Sequence, residues 1–117
     1  MIIIKIPIQL TDEQLATVAE VLKIRAISST KLLSNGKSVD REETLQYQML
    51  LILIEKFAKK LMKTRLHPNK KKAGKVTLTY PEANYLNKFL IEAMNDIENS
   101  QLRSMCNNVI MKIDPML

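Results

Sequence analysis

The first ten residues alternate between two faces of an extended chain. A period of two with β-branched residues predicts a strand over residues 2–10, whose inner face would carry Ile2, Ile4, Ile6, Ile8 and Leu10. Pro7 lies on the opposite face and lacks a backbone N–H, so the strand is expected at a sheet edge. The alternating run Lys75–Thr79 predicts a second, shorter strand.

Both predicted strands end at a threonine that can begin a helix. Thr11 with Gln14, and Thr79 with Glu82, match the capping box, in which the hydroxyl and the longer side chain satisfy each other's backbone amides. Apolar residues at a spacing near 3.6 follow each threonine and predict amphipathic helices. The first is expected to end near residues 35–36, where Gly36 can take a left-handed conformation, and the other near residues 98–100.

A further helix follows each of these. Asp40 is expected to begin one that runs to about residues 63–66. Its run Met49–Ile54 is apolar on all sides, which predicts a buried central helix. Towards its end, Phe57, Leu61 and Met62 are expected on one face, with lysines opposite. The last helix covers about residues 102–113 and stops before Pro115.

The predicted fold class is mainly α (α+β): about four helices packed as a compact bundle, with two short strands, in a single domain of residues 1–117. The pattern Ile8-x-Leu10-Thr11-x-x-Gln14 returns 68 residues later as Val76-x-Leu78-Thr79-x-x-Glu82. This indicates half-repeats at 2–66 and 75–114, each a β-α-α unit, with the two strands pairing as a ribbon. The alternative is coincidence, because capping boxes are common.

The composition excludes several kinds of site. Two glycines, one histidine and one cysteine cannot form a glycine-rich phosphate loop, a multi-histidine metal site or an intramolecular disulfide. Cys106 lies on an apolar helix stripe and is interpreted as a buried side chain. His67 lies in a lysine-rich loop without a nearby acid to orient it. We therefore expect a non-enzymatic protein without catalytic residues, metal or cofactor.

Hydropathy argues against export and membrane insertion. The longest apolar run, residues 49–54, is far shorter than the roughly 20 residues that span a bilayer. The N-terminal apolar stretch lacks a preceding basic region and a small-residue cleavage site. The expected location is cytoplasmic or within an intracellular or viral assembly, with no secretion.

Positive charge is concentrated in residues 56–75. The net charge of the chain is +6, and nine of its 18 basic residues lie in this segment, which contains no acid. The rest of the chain therefore has a net charge of −3. A solvated face usually mixes both signs, so this imbalance indicates a binding surface. Its basic residues are Lys56, Lys59, Lys60, Lys63, Arg65, Lys70, Lys71, Lys72 and Lys75.

Two functions are compatible with this segment. The first is electrostatic contact with a nucleic-acid backbone, for which lysine is suited because it acts as a point charge on phosphate. The second is a structural or accessory subunit of a larger assembly, such as a viral particle or mobile-element complex. Its basic segment would then dock on an acidic protein surface, and a homo-oligomer could use the acids of the third helix region for this: Glu82, Glu92, Asp96 and Glu98.

The order strand, helix, loop, helix over residues 2–63 resembles that of ribbon-helix-helix DNA-binding proteins. The resemblance implies that paired strands read the major groove of DNA, with Lys5 and Gln9 as outward strand residues. This chain departs from that pattern in the position of Pro7, in the length of its first helix and in the location of its basic charge.

Overall fold

A computed structural model of the chain describes residues 4–34, 41–66 and 74–117, with side chains for all of these except 29–34 and 64–66. The described residues form four α-helices and two β-strands, which confirms the predicted mainly α fold class. The elements in chain order are β1 (Lys5–Leu10), α1 (Asp12–Ser34), α2 (Arg41–Leu66), β2 (Gly74–Thr79), α3 (Tyr80–Asp96) and α4 (Ser100–Ile113), followed by a 3₁₀ turn at Asp114–Met116.

The two strands pair with each other as an antiparallel ribbon. Ile8 lies opposite Val76, and the register extends from Lys5 opposite Thr79 to Leu10 opposite Gly74. Residues alternate strictly between buried and exposed along β1, because successive side chains of a strand point to opposite faces. One face of the ribbon therefore covers the helices and the other faces solvent.

Both predicted capping boxes are present. Thr11 N donates to Gln14 Oε1 at 3.0 Å, and Gln14 N donates to Thr11 Oγ1 at 3.2 Å. In the second box, Thr79 N donates to Glu82 Oε1 at 2.8 Å and Glu82 N donates to Thr79 Oγ1 at 3.4 Å. Each box satisfies two backbone donors that the first turn of a helix leaves without partners, and so fixes where α1 and α3 leave the ribbon.

The core lies between the inner face of the ribbon and one face of each helix. Its largest fully buried side chains come from all of these elements. Phe57 of α2, Phe89 of α3 and Ile113 of α4 are at most 2% exposed. Burying a side chain of this size contributes about 1.5–3 kcal/mol, so the four helices and the ribbon depend on one another.

The buried positions of the two halves correspond in sequence. The buried residues of α1 are Gln14, Leu15, Val18, Ala19, Val21 and Leu22, and those of α3 are Glu82, Ala83, Leu86, Asn87, Phe89 and Leu90. Each member of the second set lies 68 residues after a member of the first. Ile8 and Val76 of the ribbon are also 68 residues apart, and they lie directly opposite each other. This correspondence is the pattern that an approximate two-fold axis between these two residues would produce.

Two side chains that were predicted to be buried are exposed. Ile4 was expected on the inner face of the first strand, yet it precedes β1 and is 60% exposed. Its carbonyl still accepts from Tyr80 N at 3.1 Å, but Tyr80 already begins α3, so no strand residue lies opposite Ile4. Met62, expected on the apolar face of its helix with Phe57 and Leu61, is 65% exposed.

The prediction of a buried central helix is also wrong. Leu50 and Leu53 are buried, but Leu51 and Ile52 are 45% and 44% exposed. The reason is that α2 packs against α1, α3 and β2 on one side only. An apolar run thus does not reveal how many neighbours a helix has.

Residues 2 and 3 of the first predicted strand, the helix stop at Asn35-Gly36, and the start at Asp40 lie outside the described residues.

Candidate nucleic-acid interface

The exposed face of the ribbon is polar and basic. Lys5, Pro7 and Gln9 of β1 point outward, as do Lys75 and Thr77 of β2. Neither strand contains an acidic residue. The face is held in place because the alternate residues of both strands are anchored in the core, so these five side chains project from a fixed backbone.

Cross-strand pairing orders this face along its length. Gln9 lies opposite Lys75, Pro7 lies opposite Thr77, and Lys5 lies opposite Thr79. Lys5 and Gln9 are four residues apart, which is about 13 Å along a strand. The two lysines of the ribbon therefore lie near its opposite ends.

Lys112 of α4 adds a cation beside the Gln9 end. Its Nζ donates to the backbone oxygen of Gln9 at 2.9 Å and to Gln14 Oε1 at 2.8 Å. Sequence reasoning did not include Lys112 among the candidates, because it lies 98 residues from Gln14 along the chain. Only the packing of α4 beside β1 brings them together.

Lys56 occupies the corresponding place at the second capping box. Its Nζ donates at 2.6 Å to Glu82 Oε1, the same oxygen that accepts from Thr79 N. Burial on its own raises the pKa of Glu82, but the hydrogen bonds from Lys56 and Thr79 and the charge of Lys56 outweigh it, so the pKa lies below its usual value. The Lys56 charge is thus compensated within the chain, and we do not include Lys56 in the interface.

Lys59 also has an acidic partner. Its Nζ lies 2.9 Å from Glu55 Oε1, one helical turn earlier, and both side chains are largely exposed. The hydrogen bond and charge of Lys59 lower the pKa of Glu55 despite a small opposing effect of burial. An exposed pair of this kind is weak, and a phosphate could compete with it. Glu55 and Glu82, the acids that flank the basic segment in the sequence, therefore form ion pairs with its first two lysines.

The other candidate lysines are distributed over two elements. Lys60 is half-buried and Lys63 exposed near the end of α2, and Lys75 is exposed on the ribbon. The side chain of Arg65, and all of Lys70, Lys71 and Lys72, lie outside the described residues, as does His67. The structure thus joins Lys75 to Lys5 and Gln9 on one face, whereas the sequence placed it with the lysines of α2.

The acidic surface invoked for assembly is partly used within the chain. Glu82 is 7% exposed and bound to Lys56. Glu92 forms an ion pair with Arg25 of α1. Of the four acids considered for docking, two therefore have partners in the same molecule.

The described residues contain no catalytic or metal-binding constellation beside this interface. No group of three or more histidine, cysteine, aspartate or glutamate side chains is arranged to hold a metal ion within them. Cys106 is fully buried, as its position on the helix stripe predicts, and burial raises the pKa of its thiol. None of the helices, as far as they are described, is long and apolar enough to cross a membrane.

Comparisons with protein-family models, with curated proteins and with solved structures found no match. The function is therefore argued from the geometry of this chain.

Proposed function

We propose that the protein is a non-enzymatic DNA-binding protein that places the outer face of its β1–β2 ribbon in the major groove of a duplex. The observation that carries the proposal is the exposed ribbon face, which is basic, free of acids and anchored from below. The major groove of B-form DNA is about 12 Å wide and admits a two-stranded ribbon, whereas the major groove of an RNA helix is too narrow for side chains to read.

The side chains on this face suit the edges of base pairs. Glutamine can bind adenine through two hydrogen bonds, lysine can donate to guanine, and threonine can contact either a polar group or the thymine methyl group. Gln9, Lys75 and Thr77 supply these groups from neighbouring positions. Lys60 and Lys63 are assigned to phosphate contacts, and so, from the sequence alone, are Arg65 and Lys70, Lys71 and Lys72.

The order of the elements also supports this function. The ribbon-helix-helix order of residues 2–63 recurs in β2, α3 and α4, and the two strands pair with each other. In the class that this order resembles, such paired strands contact the major groove.

A salt titration with matched variants tests the proposal. Binding of labelled duplex DNA is measured by fluorescence anisotropy at several salt concentrations. Replacing Lys5 and Lys75 by alanine is expected to reduce the slope of log affinity against log salt by about 2, because each cation held in the groove displaces about one counterion, even where its ammonium group contacts a base. The control removes the same charge from exposed lysines of α1 and α3, Lys23 and Lys88, and should leave the slope unchanged.

Two further measurements separate the proposal from its alternatives. Lys70→Ala/Lys71→Ala/Lys72→Ala should weaken binding similarly for all sequences, because these lysines are assigned to phosphates. If the Lys5/Lys75 variant and the Lys23/Lys88 control reduce the salt slope equally, the assignment of the ribbon as the DNA-binding face is wrong. No DNA binding at low salt, together with an oligomer whose size changes when the basic segment is neutralised, would favour the assembly subunit instead.

A further inference from the structure

The outer face of the ribbon does not follow the two-fold arrangement of the core. Because Ile8 lies on the axis opposite Val76, rotation about that axis exchanges residues that are 68 positions apart. Gln9 is then equivalent to Thr77, and Pro7 to Lys75. The cross-strand pair Gln9–Lys75 on one side of the axis thus has the pair Thr77–Pro7 as its counterpart on the other side.

These two counterparts differ in what they can bind. Gln9 and Lys75 offer an amide and an ammonium group, both able to form directed hydrogen bonds to bases. Pro7 has no polar side chain and Thr77 has one hydroxyl. By contrast, the buried positions match in burial from one half to the other. The symmetry is retained where the halves pack and is absent where the ribbon meets solvent.

The cations beneath the ribbon show the same difference. Lys112 binds Gln14, a neutral side chain, at the first capping box. Lys56 binds Glu82, a carboxylate, at the second. Among the described residues, the Gln9–Lys75 end therefore has a second cation without an acidic partner, Lys112, next to it. The other end has the exposed ribbon cation Lys5, but Lys56, which corresponds to Lys112, is neutralised there.

We propose that a single copy of this chain recognises a DNA site without two-fold symmetry, whose specified bases lie under the Gln9–Lys75 pair. The inference rests on the proposed function and adds the class of site that the ribbon selects. A symmetric dimer with the same face on both strands would select a palindromic site, because its two halves would present identical groups. Here one polypeptide supplies both strands, and their outward groups differ.

The test is selection of bound sequences from a random pool of DNA duplexes, with the full chain at low salt. The expected result is a non-palindromic motif with its strongly specified bases on one side of the centre, bound by one chain per duplex in native mass spectrometry. On the selected duplex, Gln9→Ala and Lys75→Ala should each lower affinity about tenfold, the effect of losing one good base contact. Pro7→Ala, the matched control at the position equivalent to Lys75, should change it less than about threefold.

A symmetrised variant provides the reverse test. Pro7→Lys with Thr77→Gln gives both sides of the axis the same outward pair, and both positions are exposed, so the core is not altered. Circular dichroism would confirm that the variant is folded. Its selected motif should move towards a palindrome, with the Gln9–Lys75 half retained.

The possible outcomes are distinct. A palindromic motif for the natural chain, two chains per site, or an unchanged motif for the folded variant would overturn the inference. Salt-dependent binding without any enriched motif would also overturn it and leave the proposed function standing. If no duplex is bound even at low salt, the proposed function itself fails.

Discussion

One carboxylate oxygen of Glu82 takes part in both a helix cap and an ion pair. Its Oε1 accepts from Thr79 N in the capping box and from Lys56 Nζ, and the residue is 7% exposed. Glu82→Gln keeps an acceptor in the same place, as Gln14 provides in the first box, but removes the charge. Glu82→Ala removes both and leaves the two donors without this partner.

The expected losses of unfolding free energy differ accordingly. A hydrogen bond to a charged group contributes about 1 kcal/mol more than a neutral one, so Glu82→Gln should cost about 1 kcal/mol at pH 7. Glu82→Ala also loses the helix cap, which is typically worth about 1 kcal/mol, and leaves the Lys56 ammonium unpaired. We expect a total loss of about 2.5 kcal/mol, measured by urea denaturation with circular dichroism at 222 nm.

The pH dependence gives an independent check on the charge. The pKa of Glu82 is lowered in the folded state, so the unfolded chain binds more protons as the carboxylate titrates. The contribution of this carboxylate is then complete above its unfolded pKa, about 4.3, and is lost as pH falls through the lower folded pKa. The advantage of the natural chain over Glu82→Gln should therefore be present at pH 7 and shrink as pH falls below the unfolded pKa.

Glu55→Gln is the matched control, because Glu55 also binds a lysine but is largely exposed. Its unfolding midpoint should be unchanged within error. If Glu82→Gln destabilises the protein as much as Glu82→Ala, the acceptor role assigned to the side chain is wrong. A difference between the natural chain and Glu82→Gln that stays constant as pH is lowered from 7 through the unfolded pKa would refute the role of charge.

Three further predictions concern the cap, the core and the thiol. Gln14→Glu gives the first capping box a carboxylate within reach of Lys112 and should stabilise the fold by about 0.5–1 kcal/mol at neutral pH; no gain in urea denaturation would show that this pairing is ineffective. Leu53→Ala should cost about 2–5 kcal/mol in the same assay. Leu51→Ala, in the same helix but at a position that is 45% exposed, should cost less than about 1 kcal/mol. Equal costs would contradict the one-sided packing of α2. Cys106 should react with a thiol reagent only as fast as the protein opens, and rapid labelling of the folded protein would contradict its burial.

Local patterns were sufficient to predict the elements of this fold. Capping boxes, alternation and a 3.6-residue period act over a few neighbouring residues, and the helices and strands they predict are present. The ribbon was also predicted, since both strands have one apolar face that must be buried. These patterns do not show which faces of a helix its neighbours cover. The exposure of Leu51 and Ile52 could therefore not be inferred from a uniformly apolar run.

The candidate site was predictable only in part. Clustering of lysines in the sequence drew attention to residues 56–75, but Lys56 and Lys59 find acids that flank the segment. Lys5 and Gln9 were predicted as outward strand residues from the resemblance in element order. Lys75 was predicted as a candidate because it belongs to the basic segment. Their shared face, and the place of Lys112 beside it, depend on the register of a strand pairing across some 70 residues, which the sequence patterns did not determine.

That long-range pairing has a consequence for how the protein is made. At about 5–20 residues per second, a ribosome needs roughly 3–14 seconds after adding Ile8 to add its partner Val76. During this interval β1 exposes an apolar face and two unpaired edges, a state that favours aggregation. The first half of the chain therefore cannot complete its fold until β2 has been synthesised, and its yield in cells should depend on chaperones that hold the nascent strand until β2 emerges.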